Sequence, residues 1–504
     1  MNESSLKKRY VTKLFASVVS GVIGMIIVAI VPKAIGPAAY GQFVYLQQFF
    51  TKVINFLEVG SSMAFFTKLS AKPERKELTF FYLLYSLFIL FILSIFFYVI
   101  EFFGYAHYLL PDVNNQYVYW GIGFAFLTWF SQLFVKIADA YALTVEVELI
   151  KVTHKILSVC LLIYFIYFLA FDLTKYFYFH IISLSTLIVW ISYLFVKSEI
   201  LSIKTFNFHY AKLKLILLEF VRYCSPLLVY SLAVLFVGLF DIWLLQKAGG
   251  AIQTGYYGLA YSLATMCFIF TGAMTPIITR EFSKSYEKKD LQTMRILFDR
   301  YIPMLYSIAT YFAVFITFQS DIVLVMFTDE KFADAYWVLV VIALYPIHQT
   351  YGQLNGSIFY ATGQTKLFRN IGLITMLIGF LLTILLLYIL ELNALGLALK
   401  MIISQVIGVN IQLYFNVKLL NMNMNKFIWH QVYSVAFFVM AASLSTMLIK
   451  FSSPLINFLV SGFIYTLIVV LGLLIYPKLF SVTQKEIKYS IRKVKTLLLS
   501  RMTL

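Results

Sequence analysis

Charge is what this chain of 504 residues has least of: only 12% of them are Asp, Glu, Lys or Arg. Soluble domains carry about 25%. The shortage, with 61% hydrophobic residues, excludes an ordinary water-facing surface and points to a lipid environment. Cysteine is scarce too. Cys160, Cys224 and Cys267 each lie in an apolar run, which excludes a disulfide framework or thiolate metal site and leaves them as small core residues. No CxxC, P-loop, GxSxG, HExxH or GxGxxG segment occurs, so no catalytic residue, metal or cofactor is expected. No small-residue cleavage site follows the basic start at Lys7, Lys8, Arg9 and Lys13, which therefore reads as an uncleaved signal anchor. No linker is long enough for a soluble domain.

What is present is a series of apolar windows. A membrane span takes about 20 mainly apolar residues. Fourteen windows qualify, at roughly 14–31, 43–67, 78–100, 117–141, 152–171, 176–196, 223–245, 254–279, 301–320, 335–361, 371–390, 392–417, 427–449 and 454–476. The expected fold class is an all-α polytopic membrane protein. With the N-terminus inside, the inner segments hold 32 of the 40 Lys and Arg residues and the outer loops five. That bias places both termini in the cytoplasm. The formal net charge of +17 then reflects this bias and attraction to anionic membrane lipid. A nucleic-acid partner would need a soluble basic domain, and none is present. The tail from Thr483 reads either as an amphipathic helix on the inner leaflet or as a solvated basic segment.

The windows repeat. Residues 32–76 and 244–289 share a Pro/Gly-punctuated turn, an apolar helix and a basic end, and Tyr40-Gly41 matches Tyr257-Gly258 at an offset of 217. Gln132-Leu133 matches Gln353-Leu354 at an offset of 221. Spans 1–6 thus pair with spans 7–12 as parallel repeats. This predicts a six-helix lobe over 1–210, a second over 211–420, and two further helices with a basic tail over 421–504.

Ionisable groups inside spans are costly and mark functional positions. Gln48, Lys52, Asn55, Glu58 and Ser62 fall within an arc of about 120° on the second span. Lys400 and His348 lie deep in later spans. The expectation is a central cavity in which Lys52, Lys400 and His348 face a phosphate-bearing substrate. Gln48, Asn55, Gln132, Gln353 and Asn355 would hydrogen-bond sugar hydroxyls. Asp139 and Asp241 are candidates for coupling or gating. Blander readings stand beside these. Lys52 and Lys400 lie near enough to the outer boundary to snorkel, and Lys136 and Asp139 are spaced to pair on one helix. Asp241 is placed to cap or pair near a helix end. His348, like the Gln and Asn residues, is also suited to bonding between helices. At the 217 offset Lys52 faces Ile269 and Glu58 faces Thr275, so charge comes mainly from the first copy. Pro226, Pro276, Pro303 and Pro346 interrupt the second copy and permit kinks.

The basic N-terminus, IGPAAYGQF (35–43), GYYGLAYSLA (255–264) and QLNGSIFYATGQ (353–364) together resemble polysaccharide flippases of the Wzx type. These belong to the multidrug/oligosaccharidyl-lipid/polysaccharide superfamily. The resemblance spans essentially the whole chain and implies two six-helix lobes around a central cavity, with alternating access. It implies a substrate, undecaprenyl-diphosphate-linked oligosaccharide such as an O-antigen unit, moved across the bacterial inner membrane without covalent chemistry. It brings a polymerase and a chain-length regulator as candidate partners. A drug/cation antiporter of the same superfamily is disfavoured, because span 1 carries no acid and two terminal helices are added. The lipid II flippase branch stays open. A membrane polymerase is disfavoured because the longest outer loop, about 101–116, offers only Glu101 and Asp112.

Overall fold

A computed structural model describes all residues except 1–2, 60, 72–73, 142, 201–209, 226–227, 449–450 and 487–504. Most of the amphipathic tail expected from Thr483 lies outside the described residues, as does Pro226. The chain opens with α1 (Glu3–Glu58), α2 (Ser61–Ala71), α3 (Lys76–Phe102), the short α4 (Ala106–Leu109), α5 (Asn115–Ala140) and α6 (Thr144–Phe168). Then come α7 (Leu173–Lys197), α8 (Tyr210–Cys224), α9 (Leu228–Thr265), α10 (Phe268–Glu287), α11 (Leu291–Phe318) and α12 (Ser320–Phe327). It closes with α13 (Tyr336–Ile342), α14 (Tyr345–Ala361), α15 (Thr365–Thr383), α16 (Asn393–Leu419), α17 (Met424–Leu448) and α18 (Pro454–Ile475). Side-chain caps start several of them. Asn114 accepts from the Gln116 backbone N–H at 3.2 Å, Asp172 from Lys175 at 2.8 Å, and Asp290 from Thr293 at 2.9 Å.

Among the described residues, twelve helical segments are long and apolar enough to cross a membrane. Two of them, α1 and α9, are too long for one crossing. At about 1.5 Å per residue, the 38 residues of α9 reach far beyond a hydrocarbon core of about 30 Å. Each is kinked at a glycine of positive φ, Gly36 and Gly250. Each holds parts of two of the expected windows, 14–31 and 43–67 in α1 and 223–245 and 254–279 in α9. Large apolar side chains such as Phe102, Tyr167 and Ile475 stand exposed, as lipid contact allows. The chain is a multi-pass membrane protein.

Three expected spans are not single helices. The window 43–67 is divided: α1 ends at Glu58, Val59 takes φ 46°, and α2 starts at Ser61. The window 254–279 is divided at Met266–Cys267. The window 335–361 is divided between Ile342 and Tyr345, where Pro346, lacking an N–H, fits the first turn of α14. Conversely, the turns expected near 32–42 and 246–253 contain almost no loop, because one glycine suffices to redirect each helix.

The chain divides by packing into two compact units. One comprises Met1–Gly258 with Thr383–Leu397, and the other Leu259–Leu382 with Ala398–Leu504. In the first, α5 lies at the centre against α1, α2, α3 and α7. Aromatic rings fill that core: Phe43 meets Phe124 at 5.1 Å and Tyr176 at 4.5 Å between centroids. The α4 segment is tied down by its carbonyls. Tyr45 donates to Leu109 O at 2.7 Å, Trp243 to Tyr108 O at 2.7 Å, and Gln246 to Pro111 O at 3.1 Å. Lys68 pairs with Glu219 of α8, and Arg75 approaches the same carboxylate at 3.5 Å. These pairs hold the Glu219 carboxyl below the usual carboxylate range.

The second unit is built on α11, which packs against α10, α14 and α17. Its core runs through Phe282, Phe298, Tyr306, Tyr351, Phe438 and Tyr465. The last two spanning helices belong to this core. Beyond α18 the chain folds back so that Leu479 O accepts from Ser307 and, at 3.0 Å, from His430 Nε2.

Candidate functional site

The candidate residues sit mainly on the second half of α1. After the Gly36 kink, Phe49, Phe50 and Ile54 turn into the core of the first unit. The i, i+4, i+7, i+10 spacing then sets Gln48, Lys52, Asn55 and Glu58 along another face, with Asn55 exposed. Lys52 Nζ donates to Gln48 Oε1 at 3.0 Å. The aliphatic tail of Lys52 lies across Gly238 of α9. A methyl group there would stand 2.9 Å from Lys52 Cε and 3.2 Å from Cδ. Gly238 therefore makes the seat on which this lysine rests.

Glu58 ends the row and joins a relay of polar contacts. Trp129 Nε1 donates to Glu58 Oε2 at 2.6 Å, Ser62 Oγ donates to Oε1 at 2.9 Å, and Lys136 Nζ donates to Ser62 Oγ at 2.7 Å. The break at Val59 leaves this polar run intact, because Ser62 on α2 still reaches Glu58. Beside it lies a cleft of about 250 Å³ lined by Glu58, Tyr85, Phe81, Phe220, Val221 and Cys224. Lys136 thus bonds to Ser62, while Asp139 accepts from Thr144 at 2.8 Å. Asp241, one turn beyond Gly238, accepts from Thr383 Oγ1 at 2.6 Å. Gln132 is exposed on α5.

In the second unit Lys400 is 9% exposed, and its tail crosses Gly379 as Lys52 crosses Gly238. A methyl group at Gly379 would stand 3.0 Å from Lys400 Cε and 3.6 Å from Nζ. His348 faces Tyr306 edge-on at 5.9 Å, and its buried Nδ1 has no hydrogen-bond partner among the described residues. Gln353 is exposed. Asn355 was expected to bind sugar. It is fully buried, donates to Tyr351 O at 3.0 Å, and accepts from Asn416 at 2.9 Å. The bond from Asn416 fastens α14 to α16.

Several polar groups escaped the sequence reading. Trp129, Gly238, Thr383 and Gly379 touch the charged residues directly. In the second unit, Thr271 bonds Thr350 at 3.1 Å and Thr279 bonds Ser357 at 2.8 Å, and Gln405 bonds Gln349. A hydroxyl in an apolar span carries little sequence signal until its partner is known. Gly238 and Gly379 were visible only as small residues.

No protein-family model and no curated protein matches the sequence. Solved structures do match. The lipid II flippase MurJ, in an inward closed conformation, superposes with a TM-score of 0.67 at 14% identity, covering 94% of this chain and 99% of that one. An inward-facing multidrug resistance MATE family transporter of the MOP superfamily gives 0.60 at 17%, covering 81% and 95%. A MOP superfamily transporter from Pyrococcus furiosus gives 0.55 at 16%, covering 83% and 97%. At these identities the likeness is one of fold, and it extends over nearly the whole of each structure.

Proposed function

We propose that this chain is a flippase that carries an undecaprenyl-diphosphate-linked oligosaccharide, an O-antigen or other surface-polysaccharide unit, across a bacterial inner membrane by alternating access. The observation that carries the reading is a lysine seated inside a spanning segment of each unit, Lys52 over Gly238 and Lys400 over Gly379. Lysine at that depth is expensive and is retained where an anion needs it. A diphosphate is such an anion, and the amides of Gln48 and Asn55 beside Lys52 suit glycan hydroxyls. The polyprenyl tail stays in lipid. In this reading the lobes are 1–210 and 211–420, the helices from 421 onward are additional to them, and both termini are cytoplasmic. A polymerase and a chain-length regulator would act on the product after release.

The likeness to a lipid II flippase favours a second cargo of the same chemistry, lipid II itself. One experiment separates the two. Lipid-linked oligosaccharide and lipid II are each probed with a membrane-impermeant glycan-labelling reagent in cells with and without the protein. Loss of outer-leaflet oligosaccharide alone supports the first cargo, and loss of lipid II alone the second. Normal labelling of both, with polymerisation blocked, would instead favour a polymerase.

A further inference from the structure

The kinks at Gly36 and Gly250 have nearly the same backbone, φ 79°, ψ 168° and φ 72°, ψ −176°. Only glycine enters that region without strain. Each kink opens the same pattern, a glycine, four residues and a second glycine. One copy is Gly36-Pro37-Ala38-Ala39-Tyr40-Gly41, and the other is Gly250-Ala251-Ile252-Gln253-Thr254-Gly255. The two copies are 214 positions apart.

The packing repeats with that offset. A methyl group at Gly41 would overlap the Ala251 carbonyl oxygen, 2.6 Å from the carbonyl carbon and 2.8 Å from Gly255 N. Shifting every partner by 214 gives the other half of the contact. A methyl group at Gly255 would overlap the Pro37 carbonyl oxygen, 3.1 Å from its carbon and 3.2 Å from Gly41 N. One turn on, Val44 lies against Gly258, again 214 apart, with Val44 Cβ 3.0 Å from a Cβ built on Gly258. So α1 and α9 meet through a patch of two-fold character, each offering its backbone to the other's glycine.

We infer that this patch is a clasp that closes the outer end of the translocation path and parts when cargo leaves. The inference rests on the transporter reading above and on its orientation, in which both kinks lie on the outer side. Three features favour a clasp over a static joint. Each contacting glycine lies five residues from a glycine hinge. Among the described residues nothing stands within 4 Å of a Cβ at Gly36, so that hinge is lightly packed, and at Gly250 a Cβ would meet a single side-chain atom, Asp112 Oδ2, at 3.1 Å. The two-fold pattern lets both helices swing alike.

The test uses the full-length protein in membranes, with Cys160, Cys224 and Cys267 replaced and a reporter at exposed Thr51→Cys. An impermeant maleimide added from outside reads opening. Gly41→Ala and Gly255→Ala each disfavour the closed contact. If the open form is a minor state of ~10%, either variant is expected to label roughly tenfold faster. Gly24→Ala, where a Cβ meets nothing within 4 Å, is expected to leave labelling unchanged. Unchanged labelling in folded Gly41→Ala and Gly255→Ala would overturn the clasp. Should those variants fail to accumulate, Val44→Cys with Gly258→Cys decides. Their Cβ atoms are close to the disulfide range of about 3.5–4.5 Å. Oxidation is expected to cross-link them and stop export until reductant is added. A pair that stays reduced, or a cross-linked protein that exports normally, refutes the proposal. The labelling readout needs no cargo, so failure of the flippase reading alone leaves it standing.

Discussion

If Lys52 is a cargo contact, Gly238 matters because of the lysine that lies on it. A Cβ at Gly238 would stand 2.9 Å from Lys52 Cε, against an optimum of about 3.5–4.0 Å between carbons. Gly238→Ala therefore moves the lysine tail by roughly 0.5–1 Å, and Gly238→Leu evicts it. The stability effect is small by design. Glycine to alanine in a helix interior gains about 0.5–1 kcal/mol, and pushing a lysine off its rotamer costs about 0.5–1.5 kcal/mol. The two nearly cancel, so thermal unfolding in detergent should scarcely shift for Gly238→Ala. Export should fall in the order wild type, Gly238→Ala, Gly238→Leu, with the last near the Lys52→Ala level.

The decisive measurement is the double-mutant cycle, because residues that act through one another are non-additive. Adding Gly238→Leu to Lys52→Ala should lower export no further. A full additional loss in the double variant would refute the seat and make Gly238 a packing residue. Gly379 and Lys400 permit the same cycle in the second unit, where the spacing of 3.0 Å to Cε calls for a similar shift.

Other groups give sharper stability outcomes. Trp129→Phe removes the 2.6 Å hydrogen bond to Glu58 and should cost about 1–2 kcal/mol, read as a lower unfolding midpoint, since one donor to a partly exposed carboxylate is lost. Asn416→Leu strands the buried side-chain oxygen of Asn355 and should destabilise by about 1–3 kcal/mol, more than Asn355→Leu combined with it. Glu219 titrates below its unfolded value because Lys68 and Arg75 face it. Its contribution is therefore present above about pH 4.3 and lost as pH falls through the folded value. With Glu219 more than a third exposed, screening limits the loss to less than about 1 kcal/mol. Proteolysis near α8 between pH 6 and 3.5 should accelerate in wild type, and Glu219→Gln should remove that dependence.

Apolar windows were enough to mark the spanning helices, because lipid demands length and hydrophobicity from every span alike. The interruptions were not readable. Val59 takes a left-handed backbone although its β-branch disfavours one. The charged residues were legible singly, since any lysine in a span stands out. Their partners were not, because Trp129 is 71 positions from Glu58 and Thr383 is 142 from Asp241. Asn355 shows the same limit, because its partner Asn416 is 61 positions away.

The repeat expected from the sequence has an echo in the glycine contacts, three residues out of register. Tyr-Gly identity set the offset at 217, whereas the kinks and the glycine contacts set it at 214. Three residues is nearly a helical turn, so the faces still matched and the error left no trace in the hydrophobic pattern. The shift changes what is compared. Lys52 now corresponds to Met266 rather than Ile269, and Glu58 to Gly272 rather than Thr275. Met266 is where the second copy breaks between α9 and α10, while the first copy stays helical through Glu58. The copies therefore agree around the glycine patch and diverge inward of it. The first copy carries its lysine on an unbroken helix where the second interrupts the backbone, so Lys52, Asn55 and Glu58 have no counterpart in α9. A substrate path flanked by these helices would be symmetric where it closes and asymmetric where it binds.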